Sequence, residues 1–184
     1  MHNIMNSSVK WLSIMAIVVF ALAMTSCNNM QKQRDNAASS ILEYENSHDA
    51  LGLDYMKNPQ SADSLIDMYI AFADTYPDDS LAPAFLNRAA NVECLKGSFD
   101  KAIEYANRVI NGYSGYESLD DCILTLAKAY ELSQMPQEAK ATYLMFIELY
   151  PEHPLTDDLK RTVQLLDKGA VTPEEQLAAI LSAE

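Results

Sequence analysis

At 184 residues, 49% of them apolar and only five of them Gly, the chain has enough material for one domain with a sizeable core. That composition excludes general disorder. Thirteen basic against 26 acidic side chains leave a net charge of -13, which repels polyanions and sets nucleic acid aside as a partner class.

The first 27 residues differ in kind from the rest. Lys10 is the only basic side chain ahead of the uncharged run Trp11 to Met24, "WLSIMAIVVFALAM", which ends at "TSC". A positive start, a short apolar segment and small residues at a cut form the plan of a signal peptide, and about 14 apolar residues are too few to span a ~30 Å hydrocarbon core. A retained membrane anchor is the alternative. The sequence "LAMTSC" resembles the lipobox of bacterial lipoproteins, with Met24 where that family usually has Leu. The resemblance implies a signal peptide over residues 1–26 and lipidation of Cys27 as the new N-terminus. Diacylation plus N-acylation supplies the more than one buried chain that stable anchoring needs. Loss of residues 1–26 removes Lys10 and no acid, so the mature chain carries -14. Residues 27–37 are polar and read as a flexible tether. By the sorting rules of such lipoproteins, the absence of Asp after Cys27 implies the outer membrane, and the absence of an acidic run implies its periplasmic face.

From residue 38 the chain repeats itself. "FADTYPDDS" from Phe72 and "FIELYPEHP" from Phe146 stand 74 residues apart, and a shift of half that, 37, exposes a third copy, "VINGYSGYE", at 109–117. Tyr76, Tyr113 and Tyr150 align, as do Phe72, Val109 and Phe146; the same shift pairs Leu86 with Ile123, Ala90 with Ala127 and Leu95 with Leu132. Within a unit the spacing is helical: Phe99, Ala102, Ile103, Ala106, Val109 and Ile110 share one face, and Ala139, Tyr143, Phe146, Ile147 and Tyr150 another. Each unit is therefore expected to be a helix pair. Ser98 is placed to cap a second helix, Pro136 to open one, Pro77 and Pro151 to follow one, and Gly97 to make the turn inside a pair.

The first pair joins a helix near 38–56, with Ile41, Tyr44, Leu51 and Tyr55 on one face, to "SADSLIDMYIAFADTYP", the two separated by Pro59. "PLTDDLKRTVQLLDKG" is a single helix that closes the stack, and residues 169–184 hold a short helix with Thr172 and Glu175 as a capping box. Its Leu177, Ile180 and Leu181 need a surface, supplied either by the last repeat or by a partner.

The stretch "GSFDKAIEYANRVI" resembles the tetratricopeptide repeat through Gly97, Phe99 and Ala102, with Ala90 and Ala127 at the family's small position in the first helix. Gln134 stands where that family has Gly, Pro136 where it has an aromatic, and the period is 37 rather than the usual 34. The resemblance implies an all-α fold: a helical-hairpin solenoid over 38–168, about three helix pairs with C-terminal capping helices.

Chemistry is hard to find. After loss of the leader only His48 and His153 remain, in separate polar contexts, so no metal site is expected, and no phosphate loop, nucleophile elbow or zinc-hydrolase motif occurs. Neither catalysis nor a cofactor has support. The pairs Asp78 and Asp79, Asp120 and Asp121, Asp157 and Asp158 stand at expected helix starts, where carboxylates favour the helix dipole. Cys94 and Cys122 sit nine positions apart on equivalent helices, roughly 13 Å along the axis, too far for a disulfide. The resemblance implies a peptide-binding groove lined by the first helix of each unit, at Asn87, Asn91, Lys128, Glu131 and Arg161. The asparagines suit a peptide backbone, and Lys128 and Arg161 an acidic group. The alternative is an ordinary solvated face.

The expected function is a non-catalytic, lipid-anchored scaffold for other proteins or extended peptides of the bacterial envelope. It is similar to the repeat lipoproteins of outer-membrane protein assembly and of envelope constriction. The rivals are an accessory lipoprotein of nutrient or carbohydrate uptake, and a peptidoglycan-processing enzyme, for which no catalytic acid stands out.

Overall fold

The computed structural model describes residues 28–47, 59–169 and, in the C-terminal segment, 175, 178, 180 and 181. The leader, Cys27, His48, Leu51, Tyr55, Thr172 and Leu177 lie outside them. Two compact units are present, Met1–Glu43 and Tyr44–Glu184.

In the first unit residues 28–43 are helical, and the helical state continues through 47 (α1, 28–47). The polar composition of 28–37 read as a tether; instead these residues form helix. Gln31, Lys32, Gln33, Arg34, Ala37 and Ala38 are good helix formers, and the Gln31 amide donates to Asp35 one turn on, 3.1 Å away. A polar segment is a poor guide to flexibility when its residues favour helix.

The second unit is a succession of helices: α2 (Pro59–Thr75), α3 (Ala82–Lys96), α4 (Phe99–Gly112), α5 (Leu119–Leu132), α6 (Pro136–Leu149) and α7 (Thr156–Asp167). Each packs on the next, and α3 also touches α5, the helix one unit on. This is the expected helical-hairpin solenoid, with no strand among the described residues. The period of 37 holds at the element boundaries: α3, α5 and α7 begin at Ala82, Leu119 and Thr156, and α2, α4 and α6 end at Thr75, Gly112 and Leu149.

Backbone hydrogen bonds repeat with the same period. Tyr76, Tyr113 and Tyr150 each donate their N–H to the carbonyl of Phe72, Val109 and Phe146 at 2.8 to 2.9 Å. Three residues on, the N–H of Asp79, Tyr116 and His153 returns to those tyrosine carbonyls at 2.9 to 3.1 Å. The two phrases that match best also share a side-chain device: Asp79 Oδ1 accepts the Leu81 N–H at 2.8 Å, and His153 Nδ1 accepts the Leu155 N–H at 3.2 Å. Phe72 lies against Tyr76 and Phe146 against Tyr150, with centroids 5.1 and 5.2 Å apart, so the repeated tyrosines pack at the junctions.

The turns inside the pairs follow one plan with different residues. Gly97, at φ 79°, ends α3; its N–H returns to Cys94 at 3.1 Å and that of Ser98 to Glu93 at 2.9 Å. At the equivalent turn Gln134, at φ 58°, returns to Glu131 and Met135 to Tyr130, at 3.0 and 2.9 Å. Gln134 thus adopts the left-handed conformation without glycine's freedom, at a cost of roughly 1–2 kcal/mol. Allowing for the extra entropy of glycine in the unfolded chain, Gln134→Gly is expected to raise stability by about 0.5–1 kcal/mol in a urea titration. A decrease would show that the glutamine side chain holds the turn by other means.

Helix starts differ from expectation at two places. Asp78 and Asp79 do not open α3, which begins at Ala82 with no acid in its first turn; they lie in the preceding connection, where Asp79 serves the turn through the Leu81 N–H. At the second, Ser98 occupies the N-cap position of α4, but its hydroxyl makes no cap bond. Its backbone acts instead, donating to Glu93 and accepting from Ala102 at 3.1 Å. Pro136 opens α6 as expected, Pro59, read as the break between two helices, is itself the first residue of α2, and Asp120, Asp121, Asp157 and Asp158 stand in first turns.

Two clusters of buried side chains run through the stack from α2 to α7. Ala73, Ala82, Leu86, Ala90, Ala106, Val109, Cys122 and Leu126 join α2 to α5. Ile123, Ala127, Ala139, Tyr143, Phe146, Leu159, Val163 and Leu166 join α5, α6 and α7. Leu86 and Ile123 are fully buried, as are Ala90 and Ala127; one period later Lys160 and Gln164 take those places, and both are exposed. The apolar face therefore stops at α7, which is how a stack ends without an open core.

Cys94 and Cys122 are free thiols. Burial, and secondarily the Asp121 carboxylate, push the Cys122 thiol from its ordinary 9.0 up to about 12. Below pH 9 the thiol is protonated whether folded or not; between about 9 and 12 only the unfolded thiol ionises, so stability falls as pH rises. Between pH 8 and pH 11 the wild type is expected to lose more stability than Cys122→Ala, read by urea titration at each pH. Equal losses would show that other groups carry the alkaline destabilisation.

Candidate functional site

The face where α3 meets α5 holds a cleft of about 370 Å³ lined by Asn91, Cys94, Leu95, Asp121, Leu124, Thr125 and Lys128. Ala90 and Ala127, both fully buried, keep α3 and α5 close-packed in the stack, and the polar faces of the two helices come within hydrogen-bonding reach through Asn91 and Thr125.

Asn91 is the best-oriented group in it. Its Nδ2 donates to the Asn87 carbonyl at 3.0 Å, and its Oδ1 accepts from Thr125 Oγ1, across on α5, at 3.0 Å. The Thr125 hydroxyl also approaches the Asp121 carbonyl at 3.0 Å. The carboxamide is held from both sides, its Nδ2 also lying 3.5 Å from Asn87 Oδ1. Lys128 and Asp121 are exposed, and neither forms an ion pair among the described residues. Leu95 is 54% exposed, unusual for a leucine on a packed helix, and Leu124 beside it is half-buried. The Cys94 thiol is pushed up by burial and only partly offset by the Lys128 ammonium, which disfavours the reactive thiolate.

The residues read from the sequence do not all meet here. Asn91 and Lys128 line the cleft; Asn87 is buried behind it and offers its backbone carbonyl to Asn91. Glu131 is engaged with α6: Tyr143 donates its hydroxyl to Glu131 Oε2 at 2.7 Å, and burial followed by that bond and charge pushes the phenol far up. Arg161 lies on α7, 71% exposed and ion-paired with Asp158. Asp121, Leu124, Thr125, Cys94 and Leu95 were not read as site residues from the sequence, although Asp121, Cys94 and Leu95 were noted there for other reasons. The period contained a signal for two of them, since Leu124 is one repeat on from Asn87 and Thr125 one repeat on from Arg88.

Other polar clusters are internal. Glu93, 1% exposed, meets Lys96 at 3.1 Å and Lys101 at 3.4 Å, and Lys96 also pairs with Asp63 on α2. Glu45 accepts from Tyr69 and pairs with Arg88 at 2.7 Å. A wider cleft of about 640 Å³ lies between connections 76–81 and 113–118. There the Tyr113 hydroxyl is committed to the Pro77 carbonyl at 2.9 Å, and Arg88 to Glu45. Among the described residues no group of three or more His, Cys, Asp and Glu side chains is placed to hold a metal, and no helix is long and apolar enough to cross a membrane. His153, without a second ligand, serves its turn and lies with Nε2 3.7 Å from Asp120 Oδ2 and its ring edge-on to Phe146 at 5.0 Å.

Comparison with curated proteins finds no match to the chain. The model of the tetratricopeptide repeat family matches residues 121–153, which span α5, α6 and the connection as far as His153. The matched hairpin is the one that carries Gln134 and Pro136 at atypical positions, so its packing pattern outweighs those departures. Residues 121–153 thus match the tetratricopeptide repeat.

Proposed function

We propose that this protein is a non-catalytic scaffold of the bacterial cell envelope, lipid-anchored through Cys27 to the outer membrane on its periplasmic side, that binds other envelope proteins through extended segments. Tetratricopeptide repeats generally bind proteins or peptides, and residues 121–153 match one. The observation that carries the peptide reading is the Asn91 carboxamide, fixed by Thr125 and Asn87 at the wall of the α3/α5 cleft. An extended backbone leaves its own N–H and C=O groups unpaired and needs such a partner. The lipid anchor is supported by the "LAMTSC" sequence and the apolar run before it.

Two measurements test the two halves of this reading. Cys27→Ser is expected to move the chain out of the membrane fraction or leave it unprocessed; unchanged membrane association would sink the anchor. Crosslinking in intact envelopes with a photoreactive residue at position 95 is expected to capture a discrete set of proteins that Lys128→Glu reduces several-fold. If that set is unchanged by the reversal, the cleft is not the binding surface.

A further inference from the structure

The charges that border the α3/α5 cleft have opposite signs and a fixed spacing. Asp121 stands in the first turn of α5 and Lys128 seven residues later, about 10.5 Å along the helix axis. Both line the cleft, both are exposed, and neither has an ion-pair partner among the described residues. Glu131, the next acid on the helix, is withdrawn by the Tyr143 hydroxyl, so Lys128 meets no competing carboxylate from it. The cleft is therefore a dipole within a chain of net charge -13, negative towards the start of α5 and positive towards its end.

Resting on the reading that this cleft takes an extended peptide, we infer that its occupant is a segment in polyproline II conformation carrying one acidic and one basic residue three positions apart, with an apolar residue between them. Polyproline II has three residues per turn and rises 3.1 Å per residue, so residues i and i+3 point the same way about 9.3 Å apart. That matches the separation of Asp121 and Lys128 within the reach of the side chains. A β-strand fails the same test, because residues i and i+3 there point to opposite faces. The acidic residue meets Lys128 and the basic residue Asp121, while the apolar residue between lies against Leu95 and Leu124. Asn91, an exposed carboxamide held in place by Asn87 and Thr125 at the cleft wall, meets a backbone that makes no hydrogen bonds of its own. The residue before a proline is driven to this conformation, so a proline between the charges lowers the ordering cost.

The probe is a set of unlabelled synthetic peptides, AEPLKA, AEPLEA, AKPLKA, AQPLQA and the spacing control AEKPLA. Each is titrated into the isotope-labelled full-length protein in detergent and followed by NMR. AEPLKA is expected to shift the Asn91 side-chain amide and to bind about fivefold more tightly than either like-charged peptide, a ratio that two partly exposed ion pairs supply and that falls with salt. Lys128→Glu is expected to make AKPLKA the tightest of the set, and Asp121→Lys to make AEPLEA the tightest. Shifts at the cleft without a charge preference, or equal affinity for AEKPLA, would overturn the inference and leave the peptide-binding reading standing. No shifts at α3 or α5 with any of the peptides would overturn both.

Discussion

Phe146→Ala is expected to cost about 3–5 kcal/mol, measured by urea titration, because it removes a fully buried aromatic ring from the cluster that joins α5, α6 and α7. The ring touches Tyr150 and His153 at centroid distances of 5.2 and 5.0 Å, so its loss also strips the 150–155 connection of its packing. The damage should be local. Helices of a repeat stack interact with their neighbours, and the α2 to α5 cluster contains no residue of α6 or α7. Hydrogen exchange of the variant is therefore expected to accelerate first in residues 136–167, with the amides of α3 retaining most of their protection. Uniform acceleration across α2 to α7 would show that the stack unfolds as one cooperative body.

Ala127→Leu is expected to cost about 2 kcal/mol, whereas Ala141→Leu, the same chemical change on α6, stays within about 0.5 kcal/mol of wild type. Ala127 is fully buried among Ile123, Ala139 and Phe146, and three added carbons there push α5 from its neighbours. Ala141 is exposed. Because α5 also forms one wall of the α3/α5 cleft, Ala127→Leu is expected to disturb the Thr125 to Asn91 bond as well. Tolerance of leucine at 127 would mean that the helices separate without penalty, and the small residues at 90 and 127 would then not set their approach.

The architecture was legible because its determinants are local and recur. Pro77 and Pro151, Gly97, and the backbone N–H and C=O groups of the tyrosines at 76, 113 and 150 act within a few residues of themselves, so the spacing of 37 translates directly into where helices start and stop. Ser98 shows the limit even there: its position at a helix start was readable, while the orientation of its hydroxyl was not. Residues 28–37 show a second limit, since polar composition does not separate a tether from a solvated helix.

The candidate site was only partly legible, since its membership depends on which neighbour claims a side chain. Asn91 and Lys128 were readable from the family's register and do line the cleft. Glu131 has the same register but lies within reach of a tyrosine twelve residues on, and that hydroxyl turns it to α6. Asn87 is covered, and its backbone acts where its side chain was expected to. The opposed charges of Asp121 and Lys128 were both visible in the sequence, where the first read as a helix-dipole residue and the second as one groove residue among several. By itself the sequence determined the helices, their period and the small residues that let them approach, because these follow from turn chemistry and apolar spacing along one strand of chain. Only the tertiary structure decided which polar side chains share a cleft, because that depends on the distance between α3 and α5 and on the partner each side chain finds across it.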